Sequence, residues 1–340
     1  MRRLAAVLAL LLAFGTVVPA GAAPGQQTYT QDRAMWVWEQ NSYPAVLDRA
    51  ARDKLGRMMD DTTTFGSDPV RTIYLGVAAY QGKDMLRDSR HQVASFVQWA
   101  RGRGYHVQAV IAGGTTPPYL GALPKYQHLA VAEFRKVLDY NRSVPAGARF
   151  DGVNVDIEPY LLPEWKEPGT TLPTDWLNLL QKFVDLRNKS GQRLLVGPAI
   201  PFWFDSSTCC TAITWHGKTA PLSDHVQDLT DYVALMDYTD TATGIIARAE
   251  HELAYAVSIG KPKSVVIGVE TKDLSGTSDP PSVTFYEEGR TYMEAELDKV
   301  YAAESSSPAF AGIAMHHYGS LLLLPSVWGP GGVYYPLTRS

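Results

Sequence analysis

The sequence predicts a single (β/α)8 barrel, the α/β fold in which eight parallel strands alternate with helices. Short runs rich in Val, Ile, Leu and Tyr recur along the chain, and amphipathic helical stretches separate them. The runs begin about 30 to 46 residues apart, which leaves room for one strand, one helix and two loops in each unit. The eight predicted strands are Ala34–Glu39, Thr72–Ala78, His106–Ala112, Phe150–Glu158, Arg193–Ile200, Tyr232–Tyr238, Ser264–Glu270 and Phe310–His317.

The helices between these strands are indicated by apolar stripes and stop signals. Over Thr243–Ile259 apolar residues recur on one helical face, and Gly260 follows as a stop. The segment 176–184 carries a similar face before Gly191. After Gly319 only SLLLLPSVWGPGG remains, so we expect a short or irregular eighth helix.

A doubly wound open sheet is the alternative fold for alternating strands and helices. That fold predicts a glycine-rich phosphate-binding loop directly after the first strand. The segment WVWEQNSYP at this place contains no glycine. The barrel is therefore the preferred interpretation.

The first 22 residues have the pattern of a secretory signal peptide. Arg2 and Arg3 precede an apolar run, and Ala20 and Ala22 are placed for an A-x-A cleavage site. The apolar run is too short to span a membrane and ends in small residues. We therefore expect a secreted protein whose catalytic barrel comprises residues 23–340.

Composition argues against two classes of partner. The chain has 31 basic and 35 acidic residues, with a net charge of −4 and no basic cluster. Nucleic acid and anionic membrane are therefore not expected to bind, and we expect a monomer. The 8 Trp and 18 Tyr suit stacking on sugar rings, although aromatic residues also fill cores.

The two cysteines, Cys209 and Cys210, are neighbours in the sequence. Secretion favours their oxidation, but adjacent cysteines can bridge only through a small strained ring. A vicinal disulfide and a pair of reduced, partly buried thiols both remain compatible with the sequence. In either case the fold depends on its core, because no other cysteine is present.

The fourth predicted strand carries the most informative residues. In Asp151–Glu158, Asn154, Asp156 and Glu158 alternate with apolar residues. Side chains alternate between the two faces of a strand, so the polar set is expected to point into the barrel. Two inward carboxyls about 7 Å apart should repel each other, and the repulsion raises the pKa of one of them, as a general acid requires. A structural polar network or Mg²⁺ ligands are the alternative uses of these residues.

Other polar and aromatic residues end the remaining strands. Active sites of these barrels lie at the carboxyl ends of the strands, so these side chains are expected to form one rim. His316 and His317 are adjacent and cannot both point inward, so one of them is expected to bind a sugar hydroxyl. The rim residues predicted to bind substrate are Trp36, Trp38, Glu39, Asn154, Trp203, Asp237, His316 and His317.

The segment FDGVNVDIEPY resembles the DGxDxDxE motif of family 18, chitinase-type glycoside hydrolases. It matches at Asp151, Gly152, Asp156 and Glu158, and Asn154 stands where that family usually has Asp. The sixth strand adds MDY, which resembles the family's M-x-Y-D motif with its tyrosine at position 238. The final acid of that motif is replaced by Thr, and the tryptophan that chitinases carry on the eighth strand is missing from AGIAMHHYGS.

The resemblance implies a role for three residues. Glu158 would protonate the leaving oxygen, Asp156 would orient the N-acetyl group of the substrate for attack on the anomeric carbon, and Tyr238 would donate to that group. This route is a known exception to the scheme with two catalytic carboxylates. The implied substrate is a poly- or oligosaccharide containing N-acetylhexosamine.

A second mechanism uses a carboxylate of the protein as the nucleophile. Glu158-Pro159 on strand four and Glu270 on strand seven resemble the acid and the nucleophile of clan A retaining glycosidases. Such enzymes require the two carboxyls about 5–5.5 Å apart. Ile157 stands where clan A has Asn before the acid. Glu270 could instead hydrogen bond to a neighbouring loop.

Two other functional classes compete with a glycosidase. A non-catalytic, lectin-like barrel would bind sugar without the proton donor, whereas this chain keeps Glu158. A metal-dependent lyase would have acids at the ends of strands three to five, yet strand three ends in Ala112-Gly113-Gly114. We expect no metal and no cofactor. The long loop 201–220 is expected to shape the binding groove.

Overall fold

A computed structural model describes residues 29–327 and 329–335 of the chain. The predicted signal peptide, residues 1–22, lies outside this part. No helix among the described residues is long and apolar enough to cross a membrane.

Eight parallel strands close into a barrel, as the sequence predicted. Each strand pairs with its neighbours in chain order, and the first strand pairs with the last. The open doubly wound sheet is therefore excluded. The strands are β1 (Ala34–Val37), β2 (Thr72–Gly76), β3 (His106–Ile111), β4 (Gly152–Val155), β5 (Leu195–Pro201), β6 (Val233–Met236), β7 (Val265–Glu270) and β8 (Phe310–His316).

Helices surround the barrel, and their buried faces pack on its outer side. The last of them has only six residues, which confirms the predicted short eighth helix. The α-helices are α1 (Glu39–Leu47), α2 (Arg49–Asp60), α3 (Met85–Asp88), α4 (Arg90–Gly102), α5 (Gln127–Ser143), α6 (Leu172–Ser190), α7 (Leu222–Leu229), α8 (Ala242–Ser258), α9 (Arg290–Glu304) and α10 (Tyr318–Leu323).

The ends of α6 and α8 follow local chemistry. Gly191 adopts a left-handed conformation (φ 68°) directly after α6, a backbone state that glycine tolerates without steric cost. Thr241 caps the start of α8 by accepting the N–H of Gly244. The predicted helix Thr243–Ile259 differs from the observed α8 by one residue at each end.

The interior of the barrel is filled by side chains rather than by solvent. Trp36, Tyr74 and Tyr232 are its largest members, and all are buried. Gly197 on β5 makes room for the ring of Tyr232, because a Cβ atom there would lie 2.2 Å from that ring. This packed layer forms the floor below the carboxyl ends of the strands.

The long loop after β5 contains a small hairpin, formed by Ile213–Trp215 and Lys218–Ala220. Cys209 and Cys210 are joined in a vicinal disulfide within this loop. Cys210 is buried, and its carbonyl oxygen accepts the N–H of Leu222 at the start of α7. The disulfide thus lies where the loop is tied to the barrel.

Candidate active site

A small cavity of about 120 Å³ opens at the carboxyl ends of the strands, above the packed interior. Five strands, β1, β4, β5, β6 and β8, or the segments directly after them contribute its walls. Six of the residues that the sequence predicted for the site meet here. The lining residues are Trp36, Trp38, Asp156, Glu158, Ala199, Met236, Tyr238 and His316.

The alternation of β4 and the residues after it brings both acids into this cavity. Val153, Val155 and Ile157 are fully buried in the layer between the strands and the helices. Asp156 and Glu158 have the opposite parity and line the cavity. The predicted inward direction of the two carboxyls is confirmed.

The two acids hold protons more tightly than ordinary carboxyls do. Burial raises the pKa of Asp156, and the neighbouring charge of Glu158 raises it further. Burial also raises the pKa of Glu158, while Tyr160 and His316 act in the opposite direction. Removal from water is thus the largest cause of the raised pKa of both acids, rather than the mutual repulsion that their spacing in the sequence predicts.

Tyr160 is a site residue that the sequence analysis missed. Its hydroxyl group donates a hydrogen bond to Oε1 of Glu158. The ring is held by edge-to-face contacts with Trp203 and Phe204, at centroid distances of 5.2 and 6.1 Å. The turn Pro159–Leu161 brings the side chain back toward the acid two residues earlier. No local signal in the sequence indicates this contact, because Trp203 and Phe204 come from the turn after β5.

Tyr238 lies on the wall of the cavity that β6 contributes. Burial raises its pKa well above the usual range, so the hydroxyl group keeps its proton. Within the described chain no protein group accepts a hydrogen bond from this hydroxyl. Its ring centroid lies 6.0 Å from that of His316. The hydroxyl group is thus available to donate to a ligand in the cavity.

Glu270 lies behind His316 and does not line the cavity. Its Oε2 accepts a hydrogen bond from Nδ1 of His316 (2.8 Å), and its Oε1 accepts the backbone N–H groups of Thr271 and Lys272, both at 2.8 Å. Burial favours protonation, but these donors outweigh it and lower the pKa of Glu270. The carboxylate is therefore ionised, and both of its oxygens accept hydrogen bonds from the protein.

Asn154 was predicted to bind substrate, but it lies one layer below the cavity. It is fully buried, and its Oδ1 accepts the indole N–H of Trp36 (3.0 Å). Its amide group donates to the carbonyl of Gly197 and the hydroxyl of Tyr232. Asn154 therefore fixes the floor residue Trp36 and is not accessible to a ligand.

Asp237, which the sequence predicted to bind substrate, does not line the cavity. Tyr238 points into the cavity, and the residue before it consequently faces the other side of the strand. Asp237 is fully buried there, near Arg248 and Glu252 of α8. Burial raises its pKa to about 8. Strand alternation alone could have excluded this residue.

His317 also lies outside the central cavity. Its Nδ1 accepts the N–H of Gly319, so the side chain caps α10. Burial and the nearby His316 lower the pKa of His317 to about 4, which keeps it neutral. Of the two adjacent histidines, the structure brings only His316 to the acids.

Two larger clefts flank the acids. A groove of about 720 Å³ is lined by Trp38, Glu39, Asp156 and Glu158. Burial raises the pKa of Glu39, whose Oε1 accepts the N–H of Ala78 at 3.3 Å. On the other side of Tyr160, a cleft of about 760 Å³ contains Trp203, Trp165 and Cys209. The loop 201–220 thus contributes to the second cleft.

Among residues 29–327 and 329–335, no group of three or more His, Cys, Asp or Glu side chains is arranged to hold a metal ion. The acids of the cavity are instead surrounded by aromatic rings and one imidazole group. This arrangement can supply a protonated carboxyl, a second carboxyl beside it and a hydroxyl donor across the cavity.

Comparison of the sequence with known protein families and with curated proteins finds no match. Among solved structures, a chitinase from Chromobacterium violaceum is similar, with 10% identity and a TM-score of 0.47 over 85% of this chain and 95% of that chain. A mutant plant class V chitinase from Cycas revoluta in complex with (GlcNAc)3 has 12% identity and a TM-score of 0.49, over 85% and 95% of the two chains.

A mutant class V chitinase from Nicotiana tobaccum in complex with NAG4 has 12% identity and a TM-score of 0.45, over 86% of this chain and 95% of that chain. These likenesses concern the chitinase-type barrel fold alone. The activity of this chain depends on the side chains that its own barrel brings together.

Proposed function

We propose that this protein is a secreted glycoside hydrolase that cleaves a poly- or oligosaccharide containing N-acetylhexosamine, with Glu158 as the general acid. The observation that carries the proposal is the position of Glu158. Its carboxyl group lines a buried cavity next to Asp156, and burial raises the pKa of both groups. A proton donor with a raised pKa is what cleavage of a glycosidic bond requires near neutral pH.

Tyr160 supports the assignment through the geometry of its hydrogen bond. Because its hydroxyl group donates to Oε1, a proton on Glu158 resides on the other oxygen, Oε2. Tyr160 also stabilises the carboxylate that remains after proton transfer. The same contact therefore orients the proton before the reaction and stabilises the negative charge afterwards.

The nucleophile is the second part of the proposal. Three hydrogen bonds engage the two oxygens of Glu270, and His316 separates it from the cavity. A nucleophilic carboxylate would need a free oxygen facing the anomeric carbon. Attack by the N-acetyl group of the substrate needs no such residue. It needs an orienting acid and a hydroxyl donor, roles that Asp156 and Tyr238 can fill.

Hydrolysis of a panel of glycans tests the first part. The full-length protein would be incubated with chito-oligosaccharides and cello-oligosaccharides of two to six units, and the products analysed by mass spectrometry. We expect cleavage of the N-acetylated series. Binding of these sugars without any product would overturn the enzyme assignment in favour of a lectin-like barrel.

Two inhibitors separate the nucleophiles. A thiazoline analogue mimics the cyclic intermediate of N-acetyl attack and should inhibit. A 2-fluoro glycoside should leave the protein unlabelled, because it traps only an ester on a carboxylate of the enzyme. A sugar ester found on Glu270 by peptide mass spectrometry would contradict the proposal for the nucleophile and leave Glu158 as the acid.

A further inference from the structure

Three side chains from three strand ends form a hydrogen-bonded chain beside the central cavity. Glu270 ends β7, His316 ends β8, and Trp38 follows β1. Oε2 of Glu270 lies 2.8 Å from Nδ1 of His316, and Nε2 of His316 lies 2.9 Å from the indole nitrogen of Trp38. The far end is fixed, because Oε1 of Glu270 accepts two backbone N–H groups.

We propose that Glu270 and His316 are positioning residues that hold the indole ring of Trp38 in the wall of the cavity, and that they do so only while His316 is neutral. The consequence for catalysis rests on the proposed function. The hydrogen-bonded chain itself does not.

The chemistry of the three groups fixes the direction of each bond. An indole N–H can only donate, so Nε2 of His316 must accept. A neutral imidazole then carries its proton on Nδ1, which donates to the carboxylate of Glu270. A protonated imidazole carries hydrogen on both nitrogens. Protonation therefore keeps the bond to Glu270 and removes the acceptor that holds Trp38.

The charges around His316 set the pH at which its imidazole group becomes protonated. Burial lowers its pKa, but Glu270 outweighs burial, and Asp156 and Glu158 add to the effect of Glu270. The net pKa therefore lies above the ordinary value. The other groups that face the ring are uncharged near neutral pH: His317, Tyr238 and the indole rings of Trp36 and Trp38.

Trp38 lies where a change in its position would weaken substrate binding. Its ring lines both the central cavity and the groove of about 720 Å³ beside it. Loss of one hydrogen bond corresponds to about fivefold in an equilibrium constant. We therefore expect KM to rise about fivefold as the pH falls through the titration of His316, whereas kcat should not share that midpoint.

Nuclear magnetic resonance tests the hydrogen-bonded chain without any substrate. The full-length protein would be labelled with ¹⁵N, and the indole N–H resonance of Trp38 would be identified by its absence from the spectrum of the Trp38→Phe variant. This resonance would then be followed in the wild type from about pH 5 to 9. In the wild type we expect one transition with a midpoint above about 6.5. A resonance that does not move over this range would overturn the proposal.

Two variants examine each end of the imidazole. In His316→Gln the amide oxygen can accept the indole N–H of Trp38 but does not titrate. The transition should therefore be absent, and the resonance should stay near its high-pH position throughout. In Glu270→Gln the side-chain oxygen should keep the two backbone N–H groups, so its NH₂ group faces Nδ1. The imidazole proton then moves to Nε2, and the resonance should stay near its low-pH position.

Glu39→Gln is the matched control, because it removes a partly buried carboxylate at the same end of the barrel that is not bonded to His316. Its midpoint should equal that of the wild type. A Glu270→Gln protein with the wild-type resonance and midpoint would also overturn the proposal. If the resonance titrates as expected while no glycan is cleaved, the proposed function fails and the positioning role remains.

Discussion

Two pairs of carboxyls with raised pKa values lie on opposite sides of the barrel wall. Asp156 and Glu158 face the cavity inside, whereas Asp237 and Glu252 are sealed between β6 and α8. Burial is the largest cause of a raised pKa in all four. A raised pKa therefore does not distinguish the two pairs.

The surroundings do distinguish them. The inner pair has a hydroxyl donor, an imidazole group and open space within reach. The outer pair is packed against helix side chains, and both acids are fully buried. We conclude that a protonated carboxyl is a candidate acid only where a ligand can reach it, and strand parity decides which side that is.

The largest effect is expected for Glu158→Gln. Removing the proton donor should lower glycan hydrolysis at least about a thousandfold and leave the fold intact. Initial rates and circular dichroism measure the two outcomes. The matched control is Glu252→Gln, which alters a buried acid of the outer pair and should keep the wild-type rate. Activity of Glu158→Gln within tenfold of the wild type would exclude Glu158 as the acid.

Asp156→Ala should lower turnover about a hundredfold, because the group that orients the attacking atom is lost. The variant also removes a negative charge beside Glu158. Ionisation of Glu158 then becomes easier, its pKa falls, and the basic limb of the pH–rate profile should move to lower pH. An unchanged rate and profile would reduce Asp156 to a structural residue.

Tyr160→Phe should have a smaller effect on rate, less than about tenfold, and a defined effect on pH dependence. The hydrogen bond from Tyr160 lowers the pKa of Glu158. Without it the acid keeps its proton to higher pH, so the basic limb of the pH–rate profile should move upward. Tyr119→Phe, in the neighbouring groove, is the control and should not move the limb.

Asp237→Asn should leave activity unchanged and alter only stability. The pKa of Asp237 is about 8 in the folded protein and 3.8 in the reference state. Below pH 3.8 both states hold the proton, and above it only the folded state does, so wild-type stability falls as the pH rises toward 8. Urea unfolding should show that the variant gains stability over the wild type between pH 4 and pH 8, by at most about 5 kcal/mol. Equal pH dependence of both proteins would contradict burial of this acid.

Much of the fold could be predicted because its signals are local. Each of the eight predicted strands overlaps an observed one, and the strand ends differ by a few residues. The alternation through Val153, Asp156 and Ile157 also indicated correctly which side chains face inward. The same rule, applied to Tyr238, would have excluded Asp237 from the rim.

The vicinal disulfide and the contact of Tyr160 with Glu158 were decided only in three dimensions. Adjacent cysteines are compatible with two states, and burial of Cys210 beside α7 is a property of the folded loop. The ring of Tyr160 is directed to the acid by Trp203 and Phe204, which come from the loop after β5. No spacing within β4 contains that information.

The sequence by itself determined the barrel, the short last helix and the two inward acids of β4, because periods of two and of about 3.6 residues can be recognised within a few residues. Only the tertiary structure decided which partners those acids and His316 have. Closure of the barrel brings Trp38 to His316 across 278 positions of the chain and Glu270 to His316 across 46. Such contacts depend on the order and register of the strands, which local periodicity does not specify.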